Sequence, residues 1–272
     1  MRRVGIVYNE NKDPSLIFTR RLEAWLAARG AAPALIDADE TAYALDNDYD
    51  CLVCLGGDGT LLKAAGGAAV RGIPLIGINL GNIGYLTDVQ ADGAEAALAK
   101  LLNGDYTSER RMMLDTDLTA YGVRGANPAL NEVCIIKGVH TKMIRIKIWI
   151  NDEYIDAYRA DGVIIATPTG STAYNLSAGG PILKPDGNMI AVTPICSHAL
   201  YTRPFVISAD DTVTVQVEES RASDITLLMD GRHVIGMRDG DKILIKRSQY
   251  TTTIIKTNEL GFYEILRQKL SV

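Results

Sequence analysis

Residues 51–71 read CLVCLGGDGTLLKAAGGAAVR, and this junction constrains the fold more than any other stretch of the 272-residue chain. An uncharged run of aliphatic and sulfur side chains is the pattern of a strand buried on both faces. Three glycines then bracket one carboxylate, Asp58, and a helix is expected from Thr60 to about Arg71. Glycines at the C-terminal end of a buried strand lie where open α/β sheets receive ligands. Backbone without Cβ atoms turns sharply there and approaches another molecule closely. The following helix aims unpaired amides and the positive end of its dipole into the same space, which favours phosphate. An aspartate in that position is a poor phosphate binder. It suits a group that orients an attacking hydroxyl and accepts its proton, or that reaches a phosphate through magnesium. Asp-Gly alone is a common turn and occurs six times here, at 58, 92, 161, 186, 230 and 239. The placement between strand and helix carries the functional reading.

Strand and helix signals alternate around this junction. RRVGIVYN reads as a strand. Ser15 reads as a cap for a helix with Phe18, Leu22, Trp25 and Leu26 on one stripe, ended by Gly30. APALID and IPLIGINL read as further strands, and AEAALAKLL as a helix stopped at Asn103-Gly104. Beyond about residue 105 the period changes to two. MIRIKIWIN sets Ile144, Ile146, Ile148 and Ile150 on one face, TVTVQVE alternates Val213, Val215 and Val217, and DKILIKR and TTTIIKT repeat the pattern. The expected fold class is α/β plus β. Residues 1–105 form an N-terminal doubly wound parallel-sheet domain carrying GGDGT, and residues 106–272 a larger, mainly antiparallel β-rich domain. The helical tail FYEILRQKL is able to return to the first domain. No low-complexity linker separates the domains, which predicts a close interface, and such clefts are favoured ligand sites.

Bulk properties exclude several classes. A net charge of −5 argues against a nucleic-acid partner, which needs a basic face. It also requires that any phosphate be held by local donors or a bound cation. No apolar run approaches the length of a membrane helix, so no membrane partner is expected. MRRVGIVYNE reads as a first strand and not a signal peptide. Cys51 and Cys54 form a C-x-x-C on a strand, where residues three apart face opposite ways. Buried thiols of a reducing cytoplasm are the better reading, and no metal site is expected from side chains alone. The match of Asn175-Leu-Ser177 to a glycosylation sequon is read as chance. Walker, G-x-G-x-x-G, H-E-x-x-H and G-x-S-x-G motifs are all missing.

GGDGT is similar to the shared motif of the superfamily that holds NAD kinases, diacylglycerol and sphingosine kinases and phosphofructokinases. Four further stretches resemble the NAD kinase branch. INLGNIGYL (78–86) resembles its N-x-G-x-L-G-F-L segment, with Ile83 and Tyr85 as replacements, and ALNEV (129–133) resembles its Asn-Glu pair. YRADGVIIATPTGSTAYNLSAGGPI (158–182) is close to its longest signature, with Asn175 where serine is common. TPICSHALYTRP (193–204) has Ser197 where proline is usual. The chain thus resembles a bacterial-type NAD kinase from about residue 3 to residue 250.

That resemblance implies a transferase that phosphorylates the adenosine ribose 2′-hydroxyl of NAD with ATP to give NADP. It implies Mg²⁺ or another divalent metal, small-molecule nucleotides as partners, and a homodimer or homotetramer. It implies Asp58 as the catalytic residue, with Gly59 touching the ribose and the NAD site between the domains. Asn131 and Glu132 fall on the pair used on the sugar; from the dipeptide alone they read as a polar strand start. Thr172, Ala173, Tyr174, Asn175, Leu176 and Ser177 fall on an NAD-contacting run, and Asp161 on a further ligand contact. The Asn175 replacement leaves only its own side chain open. Lys63, Lys142 and Arg159 are basic residues at ligand positions, and Arg232 stands where glutamine is common. A lipid kinase would need an apolar groove or a basic membrane-facing helix, and the sequence shows neither. A silent dinucleotide sensor has no use for Asp58.

Overall fold

The computed structural model describes residues 2–41, 45, 48–81, 84–87, 89–123, 128–138, 142–199, 201–218, 225–258 and 260–270. Asn82, Ile83 and Leu200 of the stretches quoted above lie outside the described residues. The chain divides into two compact units, Met1–Arg111 with Thr251–Val272, and Met112–Tyr250.

The first unit runs β1 (Arg3–Tyr8), α1 (Ile17–Ala27), β2 (Ala32–Asp37), β3 (Cys51–Gly56), α2 (Asp58–Arg71), β4 (Leu75–Asn79), β5 (Val89–Gln90) and α3 (Ala94–Asn103), then enters β6 (Thr107–Thr116). Its sheet is parallel in the order β2-β1-β3-β4, with Val4 opposite Cys51 and Leu52 opposite Leu75. Every residue of β3 and β4 is buried, as charge-free strands covered on both faces require. Leu22 and Leu26 of α1 and Leu98 and Leu101 of α3 pack with Val53, Leu55, Ile76 and Ile78 in one core. Ser15 does not cap α1. Leu16 stands at the N-cap in a left-handed conformation with no side-chain bond, and Asp13 takes the capping work from further back. Its Oδ2 accepts hydrogen bonds from Thr19 N and Oγ1, both at 2.8 Å. Helix α2 starts at Asp58, two residues before the expected Thr60, so the carboxylate belongs to its first turn.

The second unit contains β7 (Glu132–Lys137), β8 (Ile144–Ile150), β9 (Glu153–Ala160), β10 (Gly162–Ala166), the one-turn α4 (Tyr174–Ser177), β11 (Met189–Ile195), β12 (Phe205–Ser208), β13 (Val213–Glu218), β14 (Ile225–Met229) and β15 (Arg232–Met237). It ends in the first part of β16 (Lys242–Lys256). One antiparallel sheet has the order β12-β11-β10-β7-β14-β15; in the other, β16, β13, β8 and β9 pair in that order. Ile146, Ile148 and Ile150 lie opposite Val217, Val215 and Val213, and this face packs with Val163, Ile165, Ile225 and Leu227 of the other sheet. These are the faces that the period-two pattern predicts; Ile150, at the strand end, is only half-buried.

DKILIKR and TTTIIKT read as two strands, yet β16 is one strand of 15 residues. Its first part pairs antiparallel with β13, and Ile254 pairs parallel with Leu75 of β4. The division between units therefore falls inside β6 and inside β16, and not at residue 105. Helix α5 (Phe262–Leu270), anchored by buried Ile265, belongs to the first unit. No helix among the described residues is long and apolar enough to cross a membrane. All four cysteines are free thiols. Burial pushes the Cys54 thiol up to about 12 and Cys51 higher still, which makes both inert.

Candidate active site

In the first unit the strand-to-helix junction presents Asp58 from the first turn of α2, with Gly57 extended at the N-cap. The carboxylate is gripped by a loop that returns after β4. Tyr85 N donates to Oδ2 at 2.8 Å. Leu86 N, Thr87 N and Thr87 Oγ1 all donate to Oδ1, at 3.0, 3.1 and 3.0 Å. Gly84 opens this loop, and a Cβ there would overlap Oδ1, so only glycine lets the loop close on the carboxyl group. Gly59 is exposed beside it. Lys63, one turn along the helix, pairs with Asp39 Oδ1 at 2.5 Å. The Asp39 side chain is three-quarters exposed, so the pair is a weak surface contact.

In the second unit a separate group of residues surrounds the start of β7. Asp230 lies in the β14–β15 turn, where it and Gly231 both have positive φ, the requirement of a tight two-residue hairpin. Its carboxylate accepts from Leu130 N at 2.8 Å, Asn131 N at 2.7 Å and Glu132 N at 3.2 Å. The carbonyls of the same segment are held from the other side. Thr167 Oγ1 donates to Leu130 O at 2.6 Å and Thr167 N to Asn131 O at 2.9 Å. Gly170 lies so close to Asn131 that a Cβ would overlap its carbonyl. Asn131 and Glu132 are thus presented on a backbone fixed at both edges.

Glu132 is 6% exposed, and its Oε2 has no hydrogen-bond partner. Burial, and secondarily the Asp230 charge, pushes its carboxyl up to about 8. Burial also raises the Asp230 carboxyl, against the three amides and Arg232 that lower it. Both shifts mark groups taken out of water.

The loop after β10 carries the predicted run. Ser171 Oγ donates to Pro168 O at 2.7 Å and accepts from Leu183 N at 2.9 Å, which folds the loop onto itself. Tyr174 is 38% exposed, so its ring is open to stacking. Burial raises its phenol, and the charges of Cys134, Cys196, Asp161 and Glu132 add to the effect. Asn175 is corrected at the level of its side chain. It is fully buried; Nδ2 donates to Ser171 O and Pro181 O, both at 3.0 Å, and Oδ1 accepts from Thr193 Oγ1 at 2.6 Å. Both N–H groups and the oxygen of the amide are engaged inside the fold and the side chain is out of reach of solvent, so no glycan can reach it.

Asp161 is not a hairpin turn: it lies where the chain leaves β9, in one sheet, for β10 in the other. Its Oδ1 lies 3.5 Å from Lys137 Nζ. Thr172 and Leu176 are half-buried, Ser177 and Arg159 exposed, and Lys142 exposed at the start of β8. The structure sets the loop that carries the 172–177 run against Asn131 through Gly170, places Asp161 beside Lys137 at the other end of β7 from Glu132, leaves Lys142 at the surface and turns Lys63 toward Asp39. Sequence reasoning missed Thr87, Asp230 and Thr167 as the groups that hold the others. An open hollow of about 560 Å³, lined by Asp115, Asp210, Lys246 and Arg247 among others, holds none of these residues.

The family model for the ATP-NAD kinase N-terminal domain matches residues 36–106, and that for the ATP-NAD kinase C-terminal domain matches residues 130–257. The NAD kinase of Caldanaerobacter subterraneus subsp. tengcongensis is 39% identical over 282 aligned positions, covering 100% of this chain and 99% of that one. The chain belongs to the NAD kinase family. The NAD kinase of Acetivibrio thermocellus is also 39% identical, over 99% of this chain and 97% of its own. Among solved structures, an NAD kinase from Archaeoglobus fulgidus in complex with ATP superposes with a TM-score of 0.82. It is 26% identical and covers 99% of this chain and 98% of its own. A yeast NADH kinase complexed with NADH has the same TM-score at 22% identity, over 100% of this chain and 87% of its own, which shows the shared fold. The α/β plus β architecture expected from the sequence is therefore that of NAD kinases.

Proposed function

We propose that this NAD kinase family member transfers the γ-phosphoryl group of ATP to the adenosine ribose 2′-hydroxyl of NAD, giving NADP. The observation that carries the reading is Asp58: a fixed carboxylate at a strand-to-helix junction, in a chain that matches NAD kinases along its whole length. As the 2′-oxygen forms its bond to the γ-phosphorus, the bond from that phosphorus to the bridging oxygen breaks. ADP leaves with that electron pair, and the hydroxyl proton passes to Asp58. Phosphoryl transfer has a loose transition state, so orientation matters more than base strength, and an aspartate is sufficient.

Asn131 and Glu132 are assigned to sugar hydroxyls. With its carboxyl at about 8, Glu132 is protonated through the neutral range and offers a donor to an oxygen, while Oε2 awaits a partner. Tyr174 is assigned to stacking on a ring of the dinucleotide, with Thr172, Ala173, Leu176 and Ser177 as its neighbours in the loop and Asp161 as a further polar contact. Gly59 allows close backbone approach. Lys63, Lys142 and Arg159 meet phosphate charge. Among the described residues no three His, Cys, Asp or Glu side chains gather to hold a metal. A magnesium ion bound to the triphosphate of ATP would supply the neutralising charge.

The decisive experiment is a coupled assay for NADP from NAD, Mg²⁺ and ATP, with Asp58→Asn as the variant. Turnover is expected to fall by about 10²- to 10⁴-fold while calorimetry still detects NAD binding. Unchanged turnover in the variant rejects the role of Asp58, and no NADP from the wild type rejects the reaction.

A further inference from the structure

We propose that Thr87 is a positioning residue for Asp58: its hydroxyl completes the set of donors on Oδ1 and leaves Oδ2 as the oxygen that receives the substrate's proton. The proposal rests on the assignment of Asp58 above and deepens it.

An ionised carboxylate has about four acceptor directions, two on each oxygen. Oδ1 of Asp58 is filled by three donors, two from Thr87 and one from Leu86. Among the described residues Oδ2 takes Tyr85 N alone, which leaves one of its directions for a substrate. The two oxygens of a chemically symmetric group are therefore unequal: two amides favour Oδ1, and the Thr87 hydroxyl widens the difference. Its side chain has nowhere else to go. Thr87 is fully buried. Its methyl group sits against Gly77 of β4, where a Cβ would come within 2.5 Å of Cγ2, and its hydroxyl faces Asp58. On the outer side of the same loop, the Lys269 ammonium of α5 lies 5.9 Å from the centre of the Tyr85 ring. Backbone amides reach both oxygens, and the Thr87 hydroxyl adds a side-chain donor on the Oδ1 side.

Thr87→Val keeps the shape and the backbone amide and removes only the O–H. A hydrogen bond to a charged group sets the scale of the loss: kcat is expected to fall about 10- to 100-fold, with KM for NAD within about twofold. Thr87→Ser, which restores the hydroxyl, should return kcat to within about threefold of wild type. In an Asp58→Asn background, Thr87→Val should change kcat by less than about twofold, because the two side chains act as one unit. Gly84→Ala, which pushes a methyl group into Oδ1, should lower kcat in the same manner. The proposal is overturned if Thr87→Val keeps wild-type kcat, if Ser fails to rescue, or if the valine variant loses as much without Asp58 as with it. A wild type that forms no NADP, or an Asp58→Asn enzyme that turns over normally, instead sinks the assignment on which the proposal rests.

Discussion

A buried carboxyl group with one bare oxygen makes its own mark on stability. The Glu132 carboxyl lies at about 8, against an ordinary value near 4.5, because burial and then Asp230 disfavour its charge. The folded state thus holds this proton more tightly than the unfolded chain. Its stabilising contribution is complete below about pH 4.5 and is lost as pH rises through about 8. In ligand-free protein, Glu132→Gln should match the wild-type melting temperature near pH 4.5 and exceed it by several degrees at pH 8.5. Equal melting temperatures at both pH values would show that the carboxyl group is not desolvated. At this scale the sequence was legible where chemistry and backbone are local. GGDGT declared itself because glycines, carboxylate and helix start are neighbours. Thr87 and Asp230 were illegible because each acts across the chain, Thr87 on a residue 29 positions away and Asp230 on one 99 positions away. Without the fold, an Asp-Gly at 230 is one turn among six.

Elements were legible in proportion to the regularity of their burial. β8 and β13 alternate cleanly because one face of each meets the sandwich core, and β3 reads as an unbroken apolar run because both faces are covered. β16 misled the reading because Arg247, Ser248 and Gln249 interrupt its apolar pattern midway, at the place where its pairing changes from β13 to β4. The start of α1 was misplaced for a different reason: Leu16 turns left-handed and Asp13 reaches past it, a route that no cap rule anticipates. The loop after β10 looked like ordinary Ser/Thr/Gly punctuation, yet Gly170 rests directly on the Asn131 backbone. Gly170→Ala should therefore cost about 1–3 kcal/mol of stability and weaken NAD binding by disturbing Asn131 and Glu132. Denaturant unfolding and calorimetric titration measure the two effects, and an unchanged variant would mean the loop can shift without penalty.

For the whole molecule, the two units are joined inside strands and not through linkers. The chain crosses from one to the other midway along β6 and again midway along β16. Melting either unit must fray a strand that the other also uses, so the two should unfold together. The two tryptophans report one unit each, Trp25 from α1 and Trp149 from β8. Single-tryptophan variants Trp25→Phe and Trp149→Phe should give superimposable thermal transitions, the ordinary sign of all-or-none unfolding; two separated midpoints would show independent folding. The shared strand also has a consequence for synthesis. The pairing of Leu75 with Ile254 cannot form until translation has passed the whole of the second unit. A nascent chain must therefore carry the Leu75 end of the β4 margin open, beyond the Ile78–Asn79 stretch that β5 covers, for as long as the ribosome takes to make the entire second unit. An unsatisfied edge of that kind is the surface on which partly made chains aggregate, so expression yield should depend more on elongation rate and chaperone supply than on the stability of the finished enzyme.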